Sequence, residues 1–146
     1  MSMKIIGFDL DGVLCDISLT CLTMLHEHND KDAMYYYLER KPLLDPNMLM
    51  HENDKSVCIT ARSSEYHDVT RRWMKKYHPD MPVYFFEKDV RWFEKGQIAE
   101  CKVECIRNLG IDIYIDDDPE IIDRMRNLVN DITFIQYGGR LLNEQR

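Results

Sequence analysis

Short apolar runs alternate along the chain with longer stretches in which apolar residues recur every three or four positions. The runs are Met3 to Phe8 (MKIIGF), Ser56 to Ile59 (SVCI), Val83 to Phe86 (VYFF), Ile111 to Ile115 (IDIYI) and Ile132 to Ile135 (ITFI). They lack strict apolar–polar alternation and carry β-branched or aromatic residues, which predicts five strands buried on both faces. Between them, Ile17 to His28, Lys31 to Glu39 and Glu65 to Tyr77 read as helical; in the last, Tyr66, Val69, Trp73 and Tyr77 repeat at helical spacing. A further helix is expected from about Gly96 to Asn108. Another starts at Asp118-Pro119, an N-cap followed by proline at the first helical position, and buries Ile122, Met125 and Val129. Strands alternating with helices predict an α/β fold of three layers. The arrangement is Rossmann-like, with a five-stranded parallel sheet, helices on both faces and right-handed crossovers. The 146 residues amount to one domain by the usual allowance of about 150 each, with no internal repeat, low-complexity segment or Gly/Ser linker.

In an open parallel sheet, ligands sit beyond the carboxyl ends of the strands, near a reversal of strand order. The residues that follow each strand therefore matter most. Asp9-Leu10-Asp11-Gly12-Val13-Leu14 follows the first strand, Thr60-Ala61-Arg62 the second and Asp116-Asp117-Asp118 the fourth. Four or five carboxylates thus converge on one small volume, with a hydroxyl and an arginine beside them. Carboxylates so close raise one another's pKa unless a cation sits among them. Oxygen-only ligands suit a hard cation, and Mg²⁺ typically takes one or two carboxylates, waters and a substrate phosphate. Asp9 and Asp11 allow a division of labour in which one attacks as nucleophile and the other transfers protons. The plainer alternative is that Asp9 and Asp11 end a strand while Asp116 to Asp118 cap a helix. For Asp118 the cap is the preferred reading, whereas the apolar strands aim the other acids at one edge.

Composition sharpens this picture. Hydrophobic residues make up 45% and charged residues 31%, as in a globular rather than a disordered chain. Acidic residues outnumber basic ones by 26 to 19, a formal charge of −7. That argues against binding nucleic acid or an acidic membrane through overall charge, while leaving room for a local basic patch. Asp outnumbers Glu by 16 to 10, which points to acids at turns, caps and sites rather than on helix surfaces. Setting aside Asp9, Asp11, Asp116 and Asp117 leaves −3 of the −7, and a bound Mg²⁺ offsets two more. The five cysteines, Cys15, Cys21, Cys58, Cys101 and Cys105, form an odd set without C-x-x-C spacing. Cys101 and Cys105 share a helix face, but no second pair or suitably spaced His completes a zinc site, so reduced and mostly buried thiols are expected. The amino-terminal stretch lacks the basic and apolar regions of a leader. No run approaches the roughly 18 apolar residues of a membrane span. The expected location is cytoplasmic, with no membrane partner, and the pattern carries no signal of oligomeric state.

With these residues in place, the chain resembles the haloacid dehalogenase (HAD) superfamily. FDLDGVL, Phe8 to Leu14, looks like its first motif. The others follow in the family's order: Thr60 closing VCIT, Lys102 opening KVECIRNLGI, and Asp116-Asp117 closing IYIDD. The resemblance covers nearly the whole chain. It implies that Asp9 is the nucleophile forming an aspartyl-phosphate and Asp11 the general acid, then base. It further implies that Thr60 hydrogen-bonds the transferring phosphoryl group, with Ala61 and Arg62 beside it, and that Lys102 balances its charge. Asp116 would bind Mg²⁺ together with the Asp9 carboxylate and the Asp11 backbone carbonyl, and Asp117 would support that shell. Lys95 is a rival for the lysine role; Lys102 is preferred because it opens the helix feeding the fourth strand, fourteen residues before Asp116. Asp11 favours the phosphatases of the superfamily over its dehalogenases, which need no acid there. A response-regulator receiver domain also combines clustered Asp, Thr and Lys, but in a different order. The non-enzyme alternative is a phosphate-binding or regulatory module.

Only 48 residues separate Asp11 from Thr60, and 41 separate Thr60 from Lys102. Core elements nearly fill both intervals, so the large cap found in many members is absent and at most a small helical cover spans residues 19 to 50. An open site accepts large substrates. Ile59 to Met74 (ITARSSEYHDVTRRWM) also resembles a segment in the phosphatase domains of bacteriophage-type polynucleotide kinase/phosphatases, through Thr60, Arg62, Tyr66, Thr70, Arg71 and Trp73. No G-x-x-x-x-G-K-[ST] is present, so a kinase half is lacking. The expected activity is Mg²⁺-dependent hydrolysis of a phosphomonoester, with a nucleotide or a nucleic-acid 3′-phosphate end as partner. A 5′(3′)-nucleotidase or small-metabolite phosphatase is the alternative. Arg62 is either a grip on a second phosphate or a helix-entry arginine paired with an acid. Arg71, Arg72, Lys75 and Lys76 read as a solvated face. Of Tyr35, Tyr36 and Tyr37, at most one or two stack above the site, with core packing preferred; Trp73 reads as core.

Overall fold

A computed structural model describes residues 3–18, 30–91 and 93–138. Five strands, β1 (Ile5–Asp9), β2 (Lys55–Thr60), β3 (Val83–Phe85), β4 (Ile113–Asp116) and β5 (Thr133–Gln136), form one parallel sheet in the order β3-β2-β1-β4-β5. Chain order runs outward from β1 on one side and then restarts at β4 on the other. The reversal therefore falls between β1 and β4, which lie side by side with Phe8 opposite Ile115.

Two-sided burial follows from the alternation along the central strands. Val57 and Ile59 of β2 and Tyr114 of β4 pack on one face with Ile98, Val103 and Ile106 of α3 (Lys95–Leu109) and Ile121, Ile122 and Met125 of α4 (Pro119–Leu128). Ile6, Phe8, Cys58 and Ile115 point to the other face, where Trp73 and Met74 of α2 (His67–Tyr77) cover them. On that side α1 (Asp30–Glu39) packs against α2 through Ala33, Tyr37, Tyr66 and Val69. Trp73 is core, as expected, and its indole N–H donates to the Arg40 carbonyl at 2.8 Å, so its one polar atom is satisfied on burial. Arg71, Arg72, Lys75 and Lys76 lie on the exposed face of the same helix.

The sheet has the predicted fold class, with two departures in its details. β3 and β5 are not buried on both faces: Tyr84 and Ile135 are exposed. Each is an edge strand with a neighbour on one side only, and its apolar run overstated its burial. The helix predicted from Glu65 begins instead as a 3-10 turn, Ser64–Tyr66, before α2. Most of the helix expected over Ile17 to His28 lies outside the described residues, as do residues 19–29 of the possible cover; Ile17 and Ser18 themselves are not helical. α4 starts where its local signals put it, with the Asp118 carboxylate accepting from the Glu120 and Ile121 amides at 3.0 and 3.4 Å and Pro119 in its first turn. Cys15, Cys58 and Cys101 are buried free thiols and Cys105 is half-buried; Cys21 falls outside the described residues. No helix among those residues is long and apolar enough to cross a membrane.

Candidate active site

β1 and β4 end next to each other, and their last residues are Asp9 and Asp116. One carboxylate oxygen from each, and one from Asp117, come within 4.8 Å of one another, and all three residues are buried. The Lys102 side chain reaches into this group from α3, placing Nζ 2.5 Å from Asp116 Oδ2 and 3.2 Å from Asp9 Oδ1. Lys102 stands near the middle of α3, not at its start as expected, so its stem crosses from the helix layer to the strand end and is itself buried. The rival, Lys95, lies one element-end away and pairs with Asp118 at 3.1 Å, half-exposed. Geometry thus separates the two lysines: Lys102 pairs with Asp9 and Asp116 of the buried trio, and Lys95 pairs with the cap residue Asp118.

Burial, with Asp116 next, pushes the Asp9 carboxyl well above its ordinary range; Lys102 opposes the shift without cancelling it. Lys102 moves up as well, because Asp116 and Asp9 outweigh the effect of its own burial. Tyr114, two residues before Asp116 on β4, donates from its hydroxyl to Asp116 Oδ2 at 3.3 Å, and burial and Asp116 hold that phenol well above its usual range. The Asp118 amide donates to Asp116 Oδ1 at 3.0 Å. Asp116 is thereby fixed from three directions. The signal for Tyr114 was present in its spacing, since residues two apart on a strand share a face.

The loop after β1 sets Asp11 beside this group. The Leu10 carbonyl accepts from the Val13, Leu14 and Cys15 amides at 3.3, 3.0 and 2.9 Å, and Leu10, Val13 and Leu14 are buried, so the loop is anchored by its own apolar residues. Gly12 has φ +86°, and a Cβ there would fall on the Asp117 carboxylate. Only glycine lets the loop pass this close. Asp11 keeps 23% of its side chain exposed.

Arg62 approaches Asp11 from the end of β2. Its Nε donates to Asp11 Oδ2 at 3.1 Å and its Nη2 to Asp11 Oδ1 at 2.5 Å, a two-pronged pair on a buried guanidinium. Arg62 is thus paired with an acid, and that acid is the candidate proton-transfer residue. Burial works against the guanidinium charge, but Asp11 outweighs it and raises the arginine pKa. Thr60 is buried and its Oγ1 accepts from the Arg62 amide at 3.2 Å. Ala61 packs half-buried against the core on the α3–α4 side. Tyr37 is the one residue of the tyrosine triplet that reaches the site: its ring lies 3.8 Å from the Arg62 guanidinium carbon, while Tyr35 is exposed and Tyr36 carries Arg40. The groove lined by Pro42, Pro46, Tyr77, Pro82 and Tyr84 opens at the amino end of the sheet, and none of the residues above lines it.

The donor set fits a hard divalent cation. Asp9, Asp116 and Asp117 offer oxygen only, and three carboxylates against one ammonium leave an excess of about two negative charges. The Gly12 turn shapes the cradle on the Asp117 side.

No family profile matches the chain, and no curated protein does. Among solved structures, a chain of the Pnkp1/Rnl/Hen1 RNA repair complex superposes with a TM-score of 0.61 at 18% identity, covering 94% of this chain and 43% of that one. A second structure of the Pnkp1/Rnl/Hen1 complex gives 0.60 at 19%, covering 94% and 46%. The HAD domain of the effector protein Lem4 from Legionella pneumophila gives 0.48 at 16%, covering 99% and 91%. The chain spans less than half the length of the first two, and the likeness at these identities is one of fold. At that level the first two agree with the α/β fold expected from the sequence.

Proposed function

We propose that the protein is a phosphomonoester hydrolase that forms an aspartyl-phosphate on Asp9 with the help of Mg²⁺. Its proposed substrate is a phosphorylated nucleotide or the 3′-phosphate end of a nucleic acid. The observation that carries this reading is the gathering of Asp9, Asp116 and Asp117 around the buried Lys102 ammonium at the switch point, with the partly exposed Asp11 beside them. Asp9 attacks phosphorus and the ester oxygen departs, taking a proton from Asp11. Asp11 then removes a proton from the water that attacks the phosphorus of the aspartyl-phosphate. Inorganic phosphate leaves and both carboxyl groups return to their starting states.

In phosphoryl transfer most of the catalysis is positioning and charge stabilisation, because negative charge spreads over the phosphoryl oxygens. Lys102 offsets the repulsion between Asp9 and the incoming phosphate, and the Thr60 hydroxyl donates to a phosphoryl oxygen. Asp9, Asp116 and Asp117 would hold the Mg²⁺, which supplies the remaining positive charge against the phosphoryl oxygens. The pKa of Asp9, raised by burial and Asp116, means that without a cation its carboxyl retains a proton more readily and is a poorer nucleophile.

Two features favour a nucleic-acid end over a small metabolite. The segment from Thr60 to Trp73 resembles polynucleotide phosphatase domains, and the fold neighbours with the higher TM-scores come from an RNA repair complex. The test compares nucleoside 3′- and 5′-monophosphates with 3′-phosphorylated DNA and RNA oligonucleotides, with and without a chelator. Preferential release of phosphate from oligonucleotide 3′ ends, abolished by the chelator, is the expected result. Faster turnover of free nucleotides removes the polynucleotide reading, and turnover indifferent to the chelator removes the Mg²⁺.

A further inference from the structure

Asp11 sits on a loop, and its carboxylate is held by two hydrogen bonds from one guanidinium. Both oxygens accept from Arg62, and what fixes Asp11 is therefore whatever fixes Arg62. A free arginine side chain samples many rotamers, so a buried fork needs further contacts to keep one orientation. Cys15 Sγ accepts from Nη2 at 3.8 Å, and Thr70 and Tyr37 add contacts to the rest of the fork. Arg62 Nη1 donates to Thr70 Oγ1 at 2.8 Å, and that hydroxyl spends its own proton on the Tyr66 carbonyl at 2.7 Å. Thr70 is fully buried, so its oxygen can take no other orientation without losing a partner. On the flat side of the guanidinium, the Tyr37 ring lies at 3.8 Å and is itself braced by the Tyr66 ring, 5.0 Å away and tilted by 59°. α2 thus holds the fork by its edge and α1 by its face.

We propose that Thr70 and Tyr37 are positioning residues for Asp11, acting through the Arg62 guanidinium; this rests on the reading of Asp11 as the proton-transfer group. The two-pronged contact uses one lone pair on each Asp11 oxygen, and the remaining lone pairs leave a place for the proton that passes to the leaving oxygen. Through Tyr37, α1 bears on Asp11 by way of the Arg62 guanidinium.

The test uses Thr70→Val and Tyr37→Leu, which remove the hydroxyl acceptor and the ring, alongside Thr70→Ser and Tyr37→Phe, which keep them. kcat/KM is measured on p-nitrophenyl phosphate, whose leaving group departs unprotonated, and on a nucleoside 3′-monophosphate, whose alkoxide needs a proton. A general acid is worth about 10² to 10⁴ in rate, and a displacement of about 1 Å forfeits on the order of 10². The expected result for Thr70→Val and Tyr37→Leu is a loss of about tenfold or more on the nucleotide and under about threefold on the aryl ester, with Thr70→Ser and Tyr37→Phe close to wild type. A second readout is independent of turnover: the Arg62 guanidinium N–H resonances are slowly exchanging in the wild type, averaged in Thr70→Val and Tyr37→Leu, and restored in the conservative pair. Equal losses on both substrates reduce the two residues to a structural role and overturn the proposal. So do unchanged Arg62 resonances in Thr70→Val and Tyr37→Leu. A wild-type protein that hydrolyses neither ester removes the hydrolase reading instead, and the resonances still decide whether Thr70 and Tyr37 hold the fork.

Discussion

Replacing Lys102 by Met keeps an unbranched apolar stem and removes the ammonium. In the structure that ammonium lies 2.5 Å from Asp116 and 3.2 Å from Asp9, with 3% of the side chain exposed. Removing one partner from a buried ion pair costs about 3–5 kcal/mol, because the remaining charge is left uncompensated. Asp9 is already held above its ordinary range by burial and Asp116, so it can take up a proton and relieve part of that cost. The expected destabilisation of the metal-free protein is therefore at the lower end, about 3 kcal/mol. At about 2–4 °C per kcal/mol for a domain of this size, Tm falls by roughly 6–12 °C. A divalent cation returns positive charge to the same carboxylates, so the gap between variant and wild type narrows when Mg²⁺ is added. Turnover falls by about 10² to 10³, the scale of losing one preorganised charge-stabilising group. Lys95→Met is the control: its pair with Asp118 is half-exposed and worth less than about 1 kcal/mol. Thermal melts with chelator and with Mg²⁺, together with kcat on an aryl phosphate, check both variants. A Lys102→Met protein that melts with the wild type, or a greater loss of turnover in Lys95→Met, refutes the assignment of the lysine.

Gly12→Ala forces a side chain into a left-handed backbone position and onto the Asp117 carboxylate. It is expected to cost at least about 1–2 kcal/mol and to weaken divalent-cation binding in calorimetry, and unchanged cation affinity contradicts the cradle. Asp118→Ala removes the cap of α4 and lowers stability by about 1 kcal/mol, read as a shifted urea midpoint. Asp54 is held below the ordinary carboxylate range by the backbone amides of His51 and Lys4. Its stabilising contribution is present above the unfolded-state pKa and lost as pH falls through the lower folded value. Asp54→Asn is thus less stable than wild type at neutral pH, and the difference closes on acidification; a constant difference across the carboxylate range contradicts the pairing.

How much of this was legible beforehand depended on whether a signal was local. The Asp118-Pro119 start of α4 and the strand-end acids could be read directly, because caps and strand burial leave their mark within a few residues. The edge strands could not, since β3 and β5 carry apolar runs like those of β1 and only the strand order reveals which are covered. Arg62 and Asp11 lie 51 residues apart and meet because β1 pairs with β2; the sequence offered Asp11 as an acid without naming its partner. Of three successive tyrosines, the one that faces Arg62 is chosen by how α1 rests on α2, which no spacing within α1 encodes. Ala61 follows Thr60 at the end of β2, and its side chain packs half-buried against the core.

The central claim is a covalent phosphate on Asp9. Turnover of a phosphomonoester is quenched and the acyl phosphate trapped by borohydride reduction, which converts a phosphorylated aspartate to homoserine, and the peptides are mapped by mass spectrometry. The account predicts that the change falls at Asp9, requires both substrate and Mg²⁺, and is absent in Asp9→Asn. Turnover with Asp9 unmodified under trapping, or hydrolysis that survives in Asp9→Asn, contradicts it.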